Sequence, residues 1–218
     1  MKKLIITTIL TIYVLGLNAQ YDPAAKTILD QVSKNVKSWT SFKIDFKATI
    51  TTVEPKTEEK HNGYIWQKGD SYKLVFMDTE TYNHKKKRWV YMPDVEEVNV
   101  YNITGQESSK DLLSNPQQIF NIYTKGFKYQ LMEEIKDAGK TIVEVELVPE
   151  NRNVEYFKIK LFIDKLQNRI DKAIYFAKDG TRVTIEAQKY EVNQTIPESA
   201  FIFDPAKFPG VTVIDMTE

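Results

Sequence analysis

The first regular pattern in the chain is helical. Asp22-Pro23 is typical of a helix start, because an N-cap acceptor is followed by proline at the first helical position. Apolar residues then recur at the helical period, with a tryptophan one turn after the last of them: Ile28, Leu29, Val32, Val36 and Trp39. The spacing predicts a helix over Pro23–Ser38 that buries one stripe.

After Trp39 the period of the pattern changes from 3.6 to 2. Apolar side chains occupy every second position, and polar ones lie between them: Phe42, Ile44, Phe46, Ala48 and Ile50. This alternation predicts a half-buried strand with one dry and one wet face. Residues 53–60 are charged and contain Pro55, which favours a turn or an exposed loop.

Similar patterns, separated by turn residues, predict a series of further strands. They cover residues 63–67, 71–77, 79–82, 88–92, 95–101, 127–132, 141–148, 156–164, 169–177, 181–191 and 211–214. Consecutive strands joined by short turns pair in antiparallel fashion, and a sheet of about ten or eleven strands tends to curl. The fold class expected is therefore mainly β, a single curved antiparallel sheet that forms a half-open barrel.

The β-pattern is interrupted between Gly105 and Gly126. Apolar residues in 108–125 have helical spacings: Leu112, Leu113, Ile119, Phe120 and Tyr123. Asn115-Pro116 is a second cap-plus-proline start, and Gly126 is typical of a helix end. We expect two short helices here, acting with the N-terminal helix as a lid over the sheet.

The N-terminus has the layout of a secretory signal. Lys2 and Lys3 precede an apolar run at 4–17, and Leu17-Asn18-Ala19 ends in a small residue at a plausible cleavage point. The run is shorter than the roughly 20 residues of a membrane span, so an uncleaved anchor is the weaker alternative. We expect residues 1–19 to be removed and 20–218 to form one exported domain.

Composition narrows the function classes. The 30 basic and 30 acidic residues give no net charge and little electrostatic support for nucleic-acid binding. Without cysteine the chain can neither form disulfides nor carry a lipid on Cys, which predicts a soluble periplasmic protein. No catalytic, metal-binding or phosphate-binding motif stands out, and Glu58, Glu59 and His61 are typical of a solvated loop. We expect a non-enzymatic protein that needs no cofactor.

Several segments, taken in order, resemble the LolA-type outer-membrane lipoprotein carriers. Gly63 to Lys68 is similar to the family's G-x-[IL]-W-x-K strand, and Arg88 to Pro93 to its W-x-Y-x-P strand. The opening helix with Ser41 to Phe46, and the two closing segments from Phe201 to Pro205 and from Pro209 to Ile214, complete the set. The resemblance extends over essentially the whole mature chain.

The resemblance implies a carrier that accepts lipoproteins from an inner-membrane ABC transporter and delivers them to an outer-membrane acceptor. It implies a monomer whose apolar cavity holds the acyl chains of the cargo. The cavity residues expected are Val32, Val36, Trp39, Phe46, Ile65, Trp89, Tyr91, Leu112, Leu113, Ile119, Phe120 and Tyr123. Each of these could instead be ordinary core.

The sequence also departs from the family pattern. The family often has an arginine, associated with closing the lid, where this chain has Gly69, and Lys68 beside it is a weak substitute. His84-Lys85 replaces the usual Asp-Gly turn. Two other functions stay open: a lipid- or lipoprotein-sensing module on the same fold that does not shuttle its ligand, and a hydrolase, for which no nucleophile constellation is visible.

Overall fold

A computed structural model describes residues 21–103, 122–124, 126–137 and 139–217. In this part of the chain one α-helix, α1, covers Pro23–Ser38, the range predicted from the sequence. The strands are β1 Phe42–Thr51, β2 Glu58–Lys68, β3 Ser71–Phe76, β4 Thr79–His84, β5 Lys87–Met92, β6 Glu97–Asn102, β7 Phe127–Asp137, β8 Lys140–Pro149, β9 Tyr156–Asp164, β10 Arg169–Ala177, β11 Arg182–Val192 and β12 Thr212–Asp215.

All of these strands belong to one 12-stranded sheet with the order β12-β6-β5-β4-β3-β2-β1-β11-β10-β9-β8-β7. The sheet consists of two meanders, β1 to β6 and β7 to β11, which meet where β1 pairs antiparallel with β11. The last strand, β12, lies parallel to β6 at one edge, and β7 forms the other edge. The sheet is therefore open and curved, and its two edge strands do not pair.

The structure confirms the mainly β class and corrects three details of the prediction. The sheet is mixed, because β12 pairs parallel with β6, and it is open where a half-barrel was expected. Residues 58–60 are part of β2, because Thr51 at the end of β1 pairs with Glu58. Of the mid-chain segment predicted to form lid helices, only 122–124, a single 3₁₀ turn, lies within the described residues.

Three two-residue turns fix the register of strands β2 to β5. Gly69-Asp70, Met77-Asp78 and Lys85-Lys86 each link neighbouring strands, and Gly69, Met77, Asp78 and Lys85 have the positive φ that such tight turns require. Directly opposed residues share a face of the sheet, which defines two rows across β1 to β5. One row is Ile44, Ile65, Leu74, Thr81 and Val90; the other is Lys43, Trp66, Lys73, Tyr82 and Trp89.

Helix α1 packs on the face that carries the Ile44 row, called here the helix face. Leu29 and Val32 are buried with Phe42, Ile44 and the apolar residues of β8 to β10 in the main core cluster. Near the C-terminal end of α1, Asn35 Nδ2 donates to the carbonyl oxygens of Gln167 and Asn168, in the turn between β9 and β10. In the described ranges, no helix is long and apolar enough to cross a bilayer.

Asp22 attaches the start of α1 to the edge strand β7. Its Oδ1 accepts hydrogen bonds from the backbone N–H groups of Ala24, at 2.8 Å, and Ala25, at 3.4 Å, and its Oδ2 accepts from the N–H of Leu131, at 3.0 Å. These donors, Leu131 foremost, hold the pKa of the Asp22 carboxyl below its usual value. One carboxylate thus caps the helix and joins it to the sheet.

The C-terminal segment covers the β4 to β6 part of the opposite face of the sheet, the face that carries the Trp66 row. Phe203 is 3% exposed, and its ring centroid lies 5.6 Å from Tyr82, 5.1 Å from Tyr91 and 4.7 Å from Phe208. Together with Val98, Phe203, Tyr82 and Tyr91 form a second core cluster, separate from the main one. The chain's own tail therefore packs on this part of the face.

Replacing Asp22 tests the link between α1 and β7. Asp22→Ala removes both the helix cap and the hydrogen bond from Leu131. It is expected to lower the free energy of unfolding by about 1–2 kcal/mol. Asp22→Asn keeps one oxygen for the cap and loses the bond from Leu131, so its loss should be smaller. Urea titrations at pH 7 measure both values, and equal stability of all three proteins would contradict the assignment.

The carboxylate of Asp22 contributes to the free energy of unfolding in a pH-dependent way, and the direction of its pKa shift gives the sign. Because its folded pKa is depressed, its stabilisation is complete above the unfolded pKa of about 3.9 and is lost as the pH falls through the folded value. The stability difference between the wild type and Asp22→Ala should therefore shrink in acid. A difference that stays constant down to pH of about 2 would show that ionised Asp22 is not responsible.

Phe203→Ala tests the second cluster. Removing a buried ring from between three aromatic neighbours is expected to cost about 3–5 kcal/mol of unfolding free energy. Ile202→Ala is the matched control, because Ile202 is the adjacent residue and is 38% exposed; its cost should stay below about 1 kcal/mol. Urea unfolding measures both, and similar losses would mean that the tail does not hold this face.

Candidate functional site

The helix face is a broad apolar surface that extends over both meanders. Its main cluster includes buried side chains of α1, of β1 to β3 and of β7 to β11. Around them lie apolar side chains that are only half buried and that pack against the cluster: Ile28, Val36, Trp39, Ile50, Phe76, Leu131, Ile185, Ala187, Tyr190 and Val192. These half-buried side chains make the helix face the candidate surface for an apolar guest.

Five of the predicted cavity residues meet on this face. Val32, Phe46 and Ile65 are buried in the main cluster, and Val36 and Trp39 are half buried against it. Tyr123 is a sixth predicted cavity residue that belongs to this cluster. The structure therefore brings these residues of the helix and of the first two strands together on one face.

Trp39 is positioned by aromatic neighbours at the C-terminal end of α1. Its ring lies edge-on to Phe42, at a centroid distance of 5.6 Å, and to Tyr190 on β11, at 6.1 Å. The hydroxyl of Tyr190 donates to the carbonyl oxygen of Ile170 on β10, at 2.5 Å. The helix end is thus held over the seam between β1 and β11.

Gly63 makes room for the ring of Phe46. The two residues are paired across β1 and β2, and a Cβ atom at Gly63 would lie 2.6 Å from the ring and 2.7 Å from the carbonyl oxygen of Val75. Only glycine is compatible with this approach without movement of the neighbouring backbone. The glycine of the Gly63–Lys68 motif therefore serves the packing of the helix face.

Trp89 and Tyr91, in contrast, lie on the opposite face, so they do not share a surface with Phe46 and Ile65. Trp89 is opposed to Tyr82, and Tyr91 to Glu80, whereas Val90 between them continues the row of Ile65. Trp89 packs half buried on the second cluster, and Tyr91 is buried within it. The candidate surface is accordingly revised to exclude these two residues.

The other predicted cavity residues belong to the mid-chain segment. Leu112, Leu113, Ile119 and Phe120 lie outside the described residues. Tyr123 is described: it is 7% exposed, belongs to the main cluster and lies 6.3 Å from Tyr129, centroid to centroid. The segment therefore re-enters the described structure on the helix face, beside α1.

A groove of about 470 Å³, open to solvent, runs between α1 and Tyr123. Its floor is formed by Ser33 and Tyr123, which are buried, and its rim by exposed polar side chains of the helix. The lining residues are Asp30, Ser33, Lys34, Lys37, Ser38 and Tyr123. Sequence reasoning missed the helix members, although their spacing of three and four residues places them along one side of α1.

Two hydrogen-bonded groups determine the charge at one end of this groove. Asp30 Oδ2 lies 2.6 Å from Lys26 Nζ, and Asp30 Oδ1 accepts from the hydroxyl of Tyr123 at 2.9 Å. The bond from Lys26 holds the pKa of the Asp30 carboxyl below its usual value. Burial and the carboxylate of Asp30 raise the pKa of Tyr123 to about 12. At neutral pH the carboxylate is therefore charged and the tyrosine is neutral.

Lys68, beside the position of the family's arginine, contacts the C-terminal segment. Its Nζ donates to the carbonyl oxygen of Ile196, at 3.2 Å, and lies 2.9 Å from Glu198 Oε1. This hydrogen bond to Lys68 holds the pKa of the Glu198 carboxyl below its usual value. In the described structure Lys68 thus fastens the tail on the opposite face, and its contacts there are remote from α1.

A serine, a histidine and a glutamate meet close to Lys68 without the geometry of a hydrolytic triad. Ser71 Oγ lies 3.0 Å from His84 Nδ1, and Glu198 Oε2 lies 3.5 Å from the same nitrogen. A triad needs the nucleophile and the carboxylate on different ring nitrogens, so that one proton is taken while the other is held. This cluster therefore gives no support to the hydrolase alternative.

Comparison with known proteins places the chain in a family and shows its fold. A family model described as "Uncharacterized protein" matches residues 67–200, and the chain belongs to that family. A search of the curated proteins found no match.

Solved structures share the fold at low sequence identity. An uncharacterized conserved protein from Thermus thermophilus is 12% identical, with a TM-score of 0.60 over 88% of this chain and 99% of that one. The lipoprotein LppX of Mycobacterium tuberculosis is 12% identical, with a TM-score of 0.51 over 81% and 98%. A LolA superfamily protein from Nitrosomonas europaea is 14% identical over 82% and 97%, with a TM-score of 0.42. The first two matches show that the chain shares its fold with these two proteins.

Proposed function

We propose that this protein is a periplasmic carrier that holds the acyl chains of lipoproteins on its helix face and moves them from the inner to the outer membrane. One observation carries the proposal: half-buried apolar side chains border the main cluster from α1 across to β3. Val36, Ile50 and Phe76 are examples from three different elements. On the opposite face, the C-terminal tail packs on β4 to β6.

The energetics of lipid transfer explain why such a surface is useful. Each buried CH₂ group contributes about 0.8 kcal/mol, so an acyl chain of some 15 groups costs on the order of 10 kcal/mol to expose to water. A carrier has to replace most of that burial and still release the chain. A face that is partly covered by a helix meets both demands better than a closed core.

The route and the partners come from the resemblance noted in the sequence. The secretory signal predicted at 1–19 supports export to the periplasm, where an inner-membrane ABC transporter would load the carrier. An outer-membrane acceptor would then receive the cargo from it. We propose that the protein works as a monomer, without a cofactor and without catalysing a reaction.

We further propose that the mid-chain segment contributes to the acyl-chain site. Tyr123 lies on the helix face against α1, which supports placing its neighbours in sequence at the same surface. Leu112, Leu113, Ile119 and Phe120 are the apolar residues that would cover the guest.

Native purification with a charged substitution on the helix face tests the carrier. Protein isolated from the envelope is analysed by mass spectrometry, and the wild type is expected to carry acylated protein in a 1:1 complex. Val36→Glu should lower the amount of cargo by roughly tenfold or more, because a carboxylate within the acyl-chain surface would have to be desolvated. Val213→Glu is the matched control, because Val213 is 50% exposed on β12, away from α1, and its cargo should not change.

The outcome also separates the carrier from the sensing module. Wild-type protein free of cargo, in cells whose lipoprotein sorting survives its depletion, would contradict the carrier and favour a sensor. Equal cargo in the Val36→Glu and Val213→Glu variants would show that the helix face is not the site.

Phe120→Glu tests the contribution of the mid-chain segment. If this side chain covers the guest, the variant should lose most of its bound lipoprotein while its stability to urea changes by no more than an exposed substitution does, about 0.5 kcal/mol. Cargo yield and unfolding are measured on the same preparation. Normal loading of Phe120→Glu would remove the segment from the site.

A further inference from the structure

We infer that the groove between α1 and Tyr123 binds the anionic headgroup of a lipid whose acyl chain lies on the helix face. The inference rests on the proposed acyl-chain site and adds the chemical class of the lipid. The rim of the groove carries exposed charged side chains of α1.

Lys34 and Lys37 are the two cationic side chains that line this groove. Both side chains are exposed, and no carboxylate of the described residues lies within ion-pair distance of either. They are three residues apart on α1, which brings their Cβ atoms to about 5–6 Å and makes the ammonium groups repel each other. An anion between them would relieve this repulsion.

Asp30 offsets only part of the positive charge of Lys34 and Lys37. Its carboxylate is already paired with Lys26 and bonded by the hydroxyl of Tyr123. It is a neighbour of Lys34, one turn earlier on the helix, and lies about 10 Å, along the axis, before Lys37, whose charge contributes to lowering the pKa of Asp30. The part of the groove near the end of α1 therefore has a net positive charge.

The floor of the groove connects this charge to the apolar surface. Tyr123 and Ser33 are 7% and 5% exposed, and Tyr123 is itself a member of the main cluster. A molecule seated here would have its polar end between the lysines and its apolar end against the cluster. This is the arrangement that an amphiphile with a negatively charged headgroup requires. The volume of about 470 Å³ is sufficient for a phosphoglycerol group.

Two lysophospholipids with the same myristoyl chain test the inference by isothermal titration below their critical micelle concentrations. Lysophosphatidylglycerol carries a net negative charge, and lysophosphatidylcholine carries none. The wild type should bind the glycerol lipid roughly tenfold more tightly, which corresponds to two lysine contacts of surface strength. Raising NaCl to about 0.5 M should reduce the difference, because the charges are exposed to solvent.

The double variant Lys34→Gln/Lys37→Gln should bind both lipids with the affinity of the wild type for the neutral one. Lys86→Gln is the control, because Lys86 is an exposed lysine in the turn between β4 and β5; it should keep the full preference. Thermal unfolding of both variants should match that of the wild type, since all three lysines are exposed.

The outcomes distinguish the inference from the function on which it rests. Equal binding of the two lipids by the wild type, or a preference that persists in the double variant, overturns the headgroup site and leaves the acyl-chain site intact. If neither lipid binds, the acyl-chain site itself is wrong. If inorganic phosphate alone binds as tightly as lysophosphatidylglycerol, the groove takes a soluble anion and the lipid assignment is overturned.

Discussion

The pairing of β1 with β11 is the contact on which the rest of the structure depends. The two strands are distant in sequence, and closing the long loop between them costs conformational entropy. Apolar side chains offset this cost on the helix face, where Ile44 is opposed to Tyr190 and Ala48 to Ile185. Because of this pairing, two meanders become one sheet and their apolar sides become one surface.

The two faces of that sheet are used differently. Part of the opposite face is covered by the protein's own C-terminal segment, through the rings around Phe203 and the contacts of Lys68. The helix face is covered by α1, which is attached to β7 through Asp22 and to the turn after β9 through Asn35. The apolar residues around the helix stay half buried, and a polar groove adjoins them at Tyr123. An apolar surface beside a charged groove is suited to a guest with both kinds of group.

The local part of this fold could be predicted from the sequence. Helix α1 has its predicted bounds, because its start depends on the adjacent Asp22-Pro23 and its buried stripe on spacing within the helix. Most strands followed from their period of two. The beginning of β2 at Glu58 was missed, because its exposed polar residues show no alternation and are held by pairing with β1. The parallel pairing of β12 with β6 was missed because it links segments that no short turn joins.

Residues of the candidate site could be predicted only where the periodicity of a single helix or strand determines which side chains share a face. Val32, Val36 and Trp39 are set by the period of α1, and the structure brings them together with Phe46 and Ile65. Trp89 and Tyr91 were expected in the cavity together with Phe46 and Ile65, and they lie on the other face. The three two-residue turns from β2 to β5 fix the register of these strands, and this register places Trp89 and Tyr91 on the other face. The groove depends on the approach of Tyr123 to α1, which is a tertiary contact and cannot be predicted from a local sequence pattern.

The central claim is that an acyl chain lies on the helix face. It is tested most directly by nuclear magnetic resonance with a fatty acid that carries a spin label near its methyl end. The label broadens methyl signals with a steep inverse sixth-power dependence on distance, so the methyl groups nearest to the label are affected first. We expect the strongest broadening at Val36, Ile50 and Ile185, and the weakest at Val98, Val211 and Val213. Stronger broadening of the second set, or no broadening specific to either face, would contradict the account.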